Sequence, residues 1–285
     1  MEHTSALERV LRGIALLAVV LFFMFPIFWI VLMSFQTNET ILRSPPSMVF
    51  EPTLSNYVAL ITGRLETQAG SLDIDFMRNL MNSVILSVSS VALALVLGVP
   101  AAYAFARHRF RGSEDIAFTL LSFRFAPPLL VLLPLTLYFQ QIGLADTYIG
   151  LVWVYQLICL PLILWIVRGY FEDISPDVEH AYRIAGHGWG STFVKIALPL
   201  AGPGIAAAGL LAFIFAWNNF IFALVLASAD KQPVTVGALA FVTASGIQYG
   251  QIAAAVVLSI APTLALALYA QRYLVEGLSL GAVKG

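Results

Sequence analysis

Charge is scarce in this chain. Charged residues fill 11% of its 285 positions and hydrophobic residues 60%, against about 25% charged in an ordinary soluble domain. Most of the folded surface must therefore face something other than water. The net charge of −1 leaves no basic footprint for nucleic acid. A single cysteine, Cys159, lies inside an apolar run. That excludes a disulfide within the chain and a cysteine metal cluster, and Cys159 reads as a small buried apolar residue. No GxxxxGK[ST] segment occurs, and none of the three lysines, Lys195, Lys231 and Lys284, follows a glycine. The chain therefore has no P-loop with which to bind ATP. HExxH, CxxC and GxSxG are also missing, so no catalytic residue, metal ligand or bound cofactor is expected. His3, His108, His180 and His187 read as surface residues.

What the chain has in quantity is long apolar runs. About 20 apolar residues cross a bilayer as a helix. Six runs qualify, at roughly Gly13–Phe35, Asn79–Ala106, Ile116–Phe139, Tyr148–Val167, Ala201–Leu226 and Gln251–Gln271. The first follows Arg9 and Arg12 but is too long for a signal-peptide core and lacks a small-residue cleavage site, so it is expected to stay as a helix. The expected class is all-α, integral to the membrane, with six transmembrane helices. Residues 1–12 then precede a transmembrane body at 13–271, and 272–285 form a tail.

Orientation follows from lysine and arginine. With the N-terminus in the cytoplasm, that side holds Arg9, Arg12, Arg107, Arg109, Arg111, Arg168, Arg183, Lys195, Arg272 and Lys284. The other side holds Arg43, Arg64, Arg78 and Lys231. Ten against four predicts both termini inside, a long external loop at 36–78 and a long cytoplasmic loop at 169–200. All sixteen Asp and Glu residues fall outside the six runs. Ion-coupled transporters keep carboxylates at membrane depth, so their absence counts against a self-sufficient secondary transporter. The one ionisable side chain in a span is Arg124. It has two readings: it snorkels to the cytoplasmic surface, or it lines a polar path. Gln156, Trp217, Asn218 and Asn219 are the other candidates for such a path, and helix–helix hydrogen bonds explain the asparagines equally well.

The cytoplasmic loop is more than a connector. Ser175 suits a helix N-cap and Pro176 the first helical position, while Asp177 and Glu179 sit in the first turn, where the dipole favours them. A short helix should run to about Ala185. Gly186, Gly188 and Gly190 should break it with left-handed geometry, and a second helix at about Ser191–Ala197 should lead to Pro199. Val178, Ala181, Tyr182 and Ala185 share a face at helical spacing. Lipid headgroups are one partner for such a helix.

Gly186 and Leu198–Pro199 resemble the coupling (EAA) loop of ABC importer permeases. Further segments resemble maltose-type, MalG-like permeases in the same order: Thr53-Leu-Ser-Asn-Tyr57, Arg78-Asn-Leu-Met-Asn-Ser83, Gly98-Val-Pro-Ala-Ala-Tyr-Ala-Phe-Ala-Arg107, Phe215-Ala-Trp-Asn-Asn-Phe220 and the tail Glu276–Gly285. The chain departs from the pattern at His180, Tyr182 and Ala185, where the family has Glu, Ala and Asp. The resemblance implies a type I importer permease (MetI-like) fold in the inner membrane of a prokaryote. It also implies a heterodimer with a second, MalF-like permease, two ATPase subunits that hold ATP and Mg, and an extracytoplasmic binding protein docking on the external loop. The cargo it implies is a sugar, polyol or sugar derivative. It assigns ATPase coupling to Val178, Glu179, His180, Ala181, Tyr182, Ala185, Gly186, His187 and Gly188, with a second contact from the tail at Leu278–Gly285. Competing readings are a secondary transporter or channel for small solutes, and a structural membrane subunit that carries nothing.

Overall fold

A computed structural model describes residues 6–44, 49–67, 70–108, 110–243 and 246–281. His3, Arg109, Lys284 and the tail beyond Gly281 lie outside them. The helices are α1 (Ala6–Ser34), α2 (Asn38–Ile41), α3 (Ser55–Thr62), α4 (Phe76–Arg107), α5 (Ser113–Ser122), α6 (Pro128–Gln141) and α7 (Tyr148–Asp173). They continue as α8 (Pro176–Ile184), α9 (Trp189–Thr192), α10 (Leu198–Leu200), α11 (Gly202–Trp217), α12 (Ile221–Leu226), α13 (Val234–Gly237) and α14 (Tyr249–Gly281). Among the described residues, β structure is confined to two antiparallel hairpins. In these, β1 (Arg64–Thr67) pairs with β2 (Gly70–Asp73), and β3 (Val242–Thr243) with β4 (Gly246–Ile247).

Four helices, α1, α4, α7 and the first 21 residues of α14, are individually long and apolar enough to cross a bilayer, and the count reaches six if each of two bent pairs is one crossing. One bent pair is α5 with α6. The sequence predicts a single span at Ile116–Phe139, but the two helices meet at 97°. Consecutive prolines cause the break. Ala126 before Pro127 has ψ 129°, and Pro127 before Pro128 has ψ 120°, because a proline ring disfavours helical ψ in the residue ahead of it. The predicted fifth span is also divided, into α11 and α12, at Asn218–Phe220.

The chain forms two compact units. One comprises residues up to Met77 with Ala238–Ala261. Its α1 buries none of its apolar window within the chain, as expected of a helix facing lipid or another subunit. The segment expected as a long external loop, 36–78, contains α2, α3 and the β1–β2 hairpin. Asparagines fasten it. Asn56 Nδ2 donates to the carbonyls of Ser34 (2.9 Å) and Gln36 (2.8 Å), and Asn38 Nδ2 to Gln248 Oε1 (2.8 Å). The rule that buried amides must find partners thus ties the end of α1 to α3 and to the start of α14.

The other unit comprises Arg78–Gly237 with residues from Pro262. Its centre is α7 against α11 and α4. Close approach relies on small residues. A Cβ added to Gly204 on α11 would overlap the Tyr170 ring of α7, and one added to Gly98 on α4 would lie 3.0 Å from Ile163. Cys159 is buried, with its thiol 3.8 Å from the Ala212 carbonyl.

Candidate functional site

The loop after α7 is a helix–turn–helix. Ser175 Oγ accepts from Asp177 N–H at 3.3 Å and Pro176 opens α8. Gly186 turns the chain at φ +94°. Gly188 and Gly190 do not share that geometry: Gly188 is extended at φ −79° and Gly190 lies within α9. The second helix is longer than expected. From α9 a π-helical stretch at Phe193–Ala197 carries it into α10, and the rod Trp189–Leu200 meets α11 at 72°.

Most of the residues assigned to ATPase coupling are presented outward. Val178, His180, Ala181, Ala185, Gly186, His187 and Gly188 are exposed and Tyr182 is half-buried. Ile184 adds an apolar side chain that is 87% exposed. The turn is braced by stacking of Tyr182 on His187, with centroids 4.0 Å apart, and of the Arg183 guanidinium over Trp189 at 3.7 Å.

Glu179 is the exception among them, because its side chain is buried. It is 1% exposed within this chain alone. Its Oε2 accepts from Tyr103 Oη at 2.6 Å, and its Oε1 accepts from Arg107 Nε at 2.8 Å with Nη2 also 2.8 Å away. Arg107 Nη2 additionally donates to the Ile174 carbonyl at 3.0 Å. The Glu179 carboxylate of α8 is thus held by the end of α4, and Arg107 links both to the end of α7. Beneath them, Tyr103 packs edge-on to Phe171 at 5.2 Å and against Phe193 at 4.9 Å. Tyr103, Arg107, Phe171 and Phe193 were not singled out from the sequence.

The path candidates are less unified. Arg124 sits in the break between α5 and α6, its guanidinium 4.2 Å over the Phe215 ring of α11. Gln156 is buried. Its amide donates to the carbonyls of Ser90 (3.1 Å) and Val152 (2.9 Å), while its Oε1 is buried without a partner in the chain. Trp217 is buried and stacked on Phe213 at 5.5 Å. Asn218 is exposed and caps α11 by donating to the Ile214 carbonyl at 2.8 Å. Asn219 accepts from Thr235 Oγ1 through its carbonyl at 2.8 Å, and its Oδ1 is buried without a partner. Among the described residues, no hydrogen bond joins Gln156 to Asn218 or Asn219.

Two loops at the other ends of these helices are joined by charge. Asp146 Oδ1 accepts from Ser228 N–H (2.8 Å) and Oγ (2.7 Å), and Lys231 Nζ lies 3.3 Å from Asp146 and 3.0 Å from Asp230. The Ser228 backbone N–H holds the Asp146 carboxyl below its usual range, and the Ser228 hydroxyl, whose one proton is shared between Asp146 and Asp230, takes Asp230 to about 2 with help from Lys231.

Residues 94–279 match the family described as binding-protein-dependent transport system inner membrane component. The chain belongs to that family. It is 32% identical to the trehalose/maltose transport system permease protein MalG of Thermococcus litoralis, over 99% of each chain. It is 34% identical to the trehalose transport system permease protein SugB of Mycobacterium tuberculosis, over 99% of this chain and 97% of that one. Its fold matches a chain in the crystal structure of a bacterial ABC transporter involved in the import of the acidic polysaccharide alginate. The TM-score is 0.77 at 23% identity, covering 96% of this chain and 99% of that one.

Proposed function

We propose that this chain is one permease of a heterodimeric ABC importer for a sugar, polyol or sugar derivative, resident in a prokaryotic inner membrane with both termini cytoplasmic. The observation that carries the solute class is end-to-end similarity to relatives named for trehalose and maltose transport. A MalF-like permease completes the path, two ATPase subunits supply ATP and Mg chemistry, and an extracytoplasmic binding protein delivers the solute. The chain performs no covalent step. The α8 face formed by Val178, His180, Ala181, Ala185 and the Gly186–Gly188 turn docks on an ATPase, and Arg124, Gln156, Trp217 and Asn219 contribute polar groups to the path.

Energy enters as differential affinity: a shift from a mostly inward-facing to a mostly outward-facing population needs about 5.5 kcal/mol. ATP-driven closure of the partner subunits supplies it through α8. Purification of the tagged chain from its native membrane tests the reading. An ATPase should accompany it, with hydrolysis stimulated by binding protein loaded with trehalose or maltose. Ion-driven uptake by the chain alone in liposomes rejects the reading.

A further inference from the structure

We propose that Glu179 is a positioning residue that fastens α8 to the end of α4, so that force on the docking face reaches α4 as well as α7. The proposal rests on the reading of α8 as the docking helix. By sequence, α8 is attached to α7 through Ile174 and Ser175 and to α9 through the Gly186 turn, and to α4 by neither. A helix of 9 residues has no stable orientation of its own in water. Its direction must come from contacts.

The contacts are specific. The Glu179 carboxylate reaches Tyr103 and Arg107 on α4, 76 and 72 positions away, and Arg107 closes the triangle on the Ile174 carbonyl at the end of α7. Tyr103 and Arg107 are four residues apart and so share one face of α4. The Arg107 and Glu179 side chains are 8% and 2% exposed, so each charge depends on the other. Charge-assisted hydrogen bonds fix direction as well as distance. The node is complete within this chain. Glu179 therefore has no free oxygen face for an ATPase, whereas Val178 and His180 on either side of it do face outward.

The test uses the tagged chain purified in nanodiscs with its accompanying ATPase, as wild type, Glu179→Ala, Glu179→Gln and Arg107→Lys. Two quantities are read: ATPase recovered, and nucleotide trapped by vanadate. In Glu179→Ala the outward face is untouched and ATPase recovery should stay at the wild-type level, while trapping falls about tenfold or more, the scale of one lost hydrogen bond to a charged group. Glu179→Gln keeps one acceptor oxygen but loses the charge, and should restore trapping in part, to a level between Glu179→Ala and wild type. A merely structural defect would lower recovery and trapping together, and the Gln variant would not rescue one of them selectively. Unchanged trapping in Glu179→Ala overturns the proposal. So does loss of ATPase from both Ala and Gln variants, which would make Glu179 an ATPase contact. If Glu179→Ala fails to reach the membrane, Arg107→Lys decides. It keeps the charge but gives up the fork that also holds Ile174, and should trap less nucleotide at full ATPase recovery; normal trapping overturns the proposal. If wild type recovers no ATPase, the importer reading itself falls, and this proposal with it.

Discussion

Two polar regions of the larger unit handle their polar groups in opposite ways. At the α4–α8 node both carboxylate oxygens are matched: Glu179 is shared between Tyr103 and Arg107, and Arg107 also serves the Ile174 carbonyl. At the break between α11 and α12 and on nearby α7, Asn219 Oδ1 and Gln156 Oε1 are buried with no partner in the chain. A satisfied buried network rigidifies; an unsatisfied buried acceptor costs free energy until something meets it. The first region is built to hold a geometry. The second holds acceptors that the chain itself leaves unmatched.

The sharpest way to break that contrast is at Arg107. Arg107→Ala strands the Glu179 carboxylate, and removing one partner of a buried ion pair costs about 3–5 kcal/mol. The purified variant should unfold at markedly lower temperature or denaturant concentration than wild type. A shift within error would mean that the node holds nothing. Next in size is Gly186→Val. Nothing lies within 4 Å of a Cβ at Gly186, so there is room for the side chain, but φ +94° is strained for a β-branched residue by about 1–3 kcal/mol. Membrane insertion should be normal, with ATPase recovery or transport lost. Gly186→Asn, which tolerates left-handed geometry, should be milder. Full uptake by the valine variant would count against the docking role of the turn.

How far these regions could be read from sequence follows from their physics. The α8 N-cap at Ser175–Pro176 and the turn at Gly186 are local: each needs only residues within a few positions, and the structure places both where the sequence does. The helix breaks at Phe123–Pro128 and Asn218–Phe220 were hidden by composition, because an apolar run reads as one span whether straight or bent. Pro127–Pro128 was the available signal, and adjacent prolines predict the extended ψ that opens the bend. The node was missed because it is long-range. Its clue was the spacing of Tyr103 and Arg107, i to i+4 at the end of an apolar run, where a buried cation demands a counter-charge.

A smaller effect on stability, with a larger one on transport, is expected at Asn219. Asn219→Leu removes an orphaned acceptor and should change stability by less than about 1 kcal/mol. If Asn219 lines the path, solute uptake falls while ATPase recovery is kept. If uptake is unchanged, the break is a structural cap and the contrast with the node loses its functional half.

The smallest effect belongs to the solvated link between Asp146, Ser228, Asp230 and Lys231, a third way of handling charge. Ser228 donates to Asp230 and holds its pKa at about 2, below the ordinary 3.8. A carboxyl with a depressed folded-state pKa contributes stability that is present above 3.8 and lost as pH falls through about 2. Between those values the native loop should therefore weaken with acid. Ser228→Ala removes the largest cause of the depression, so the Asp230 titration, followed by carboxyl NMR, should move up toward 3.8 and the acid-dependent weakening of the loop should shrink. The node around Glu179, buried beside its own arginine, should be unaffected by the same substitution. An equal change in ATPase recovery would show that the two ends of the unit are mechanically joined, and that the rigid region extends further than its hydrogen bonds.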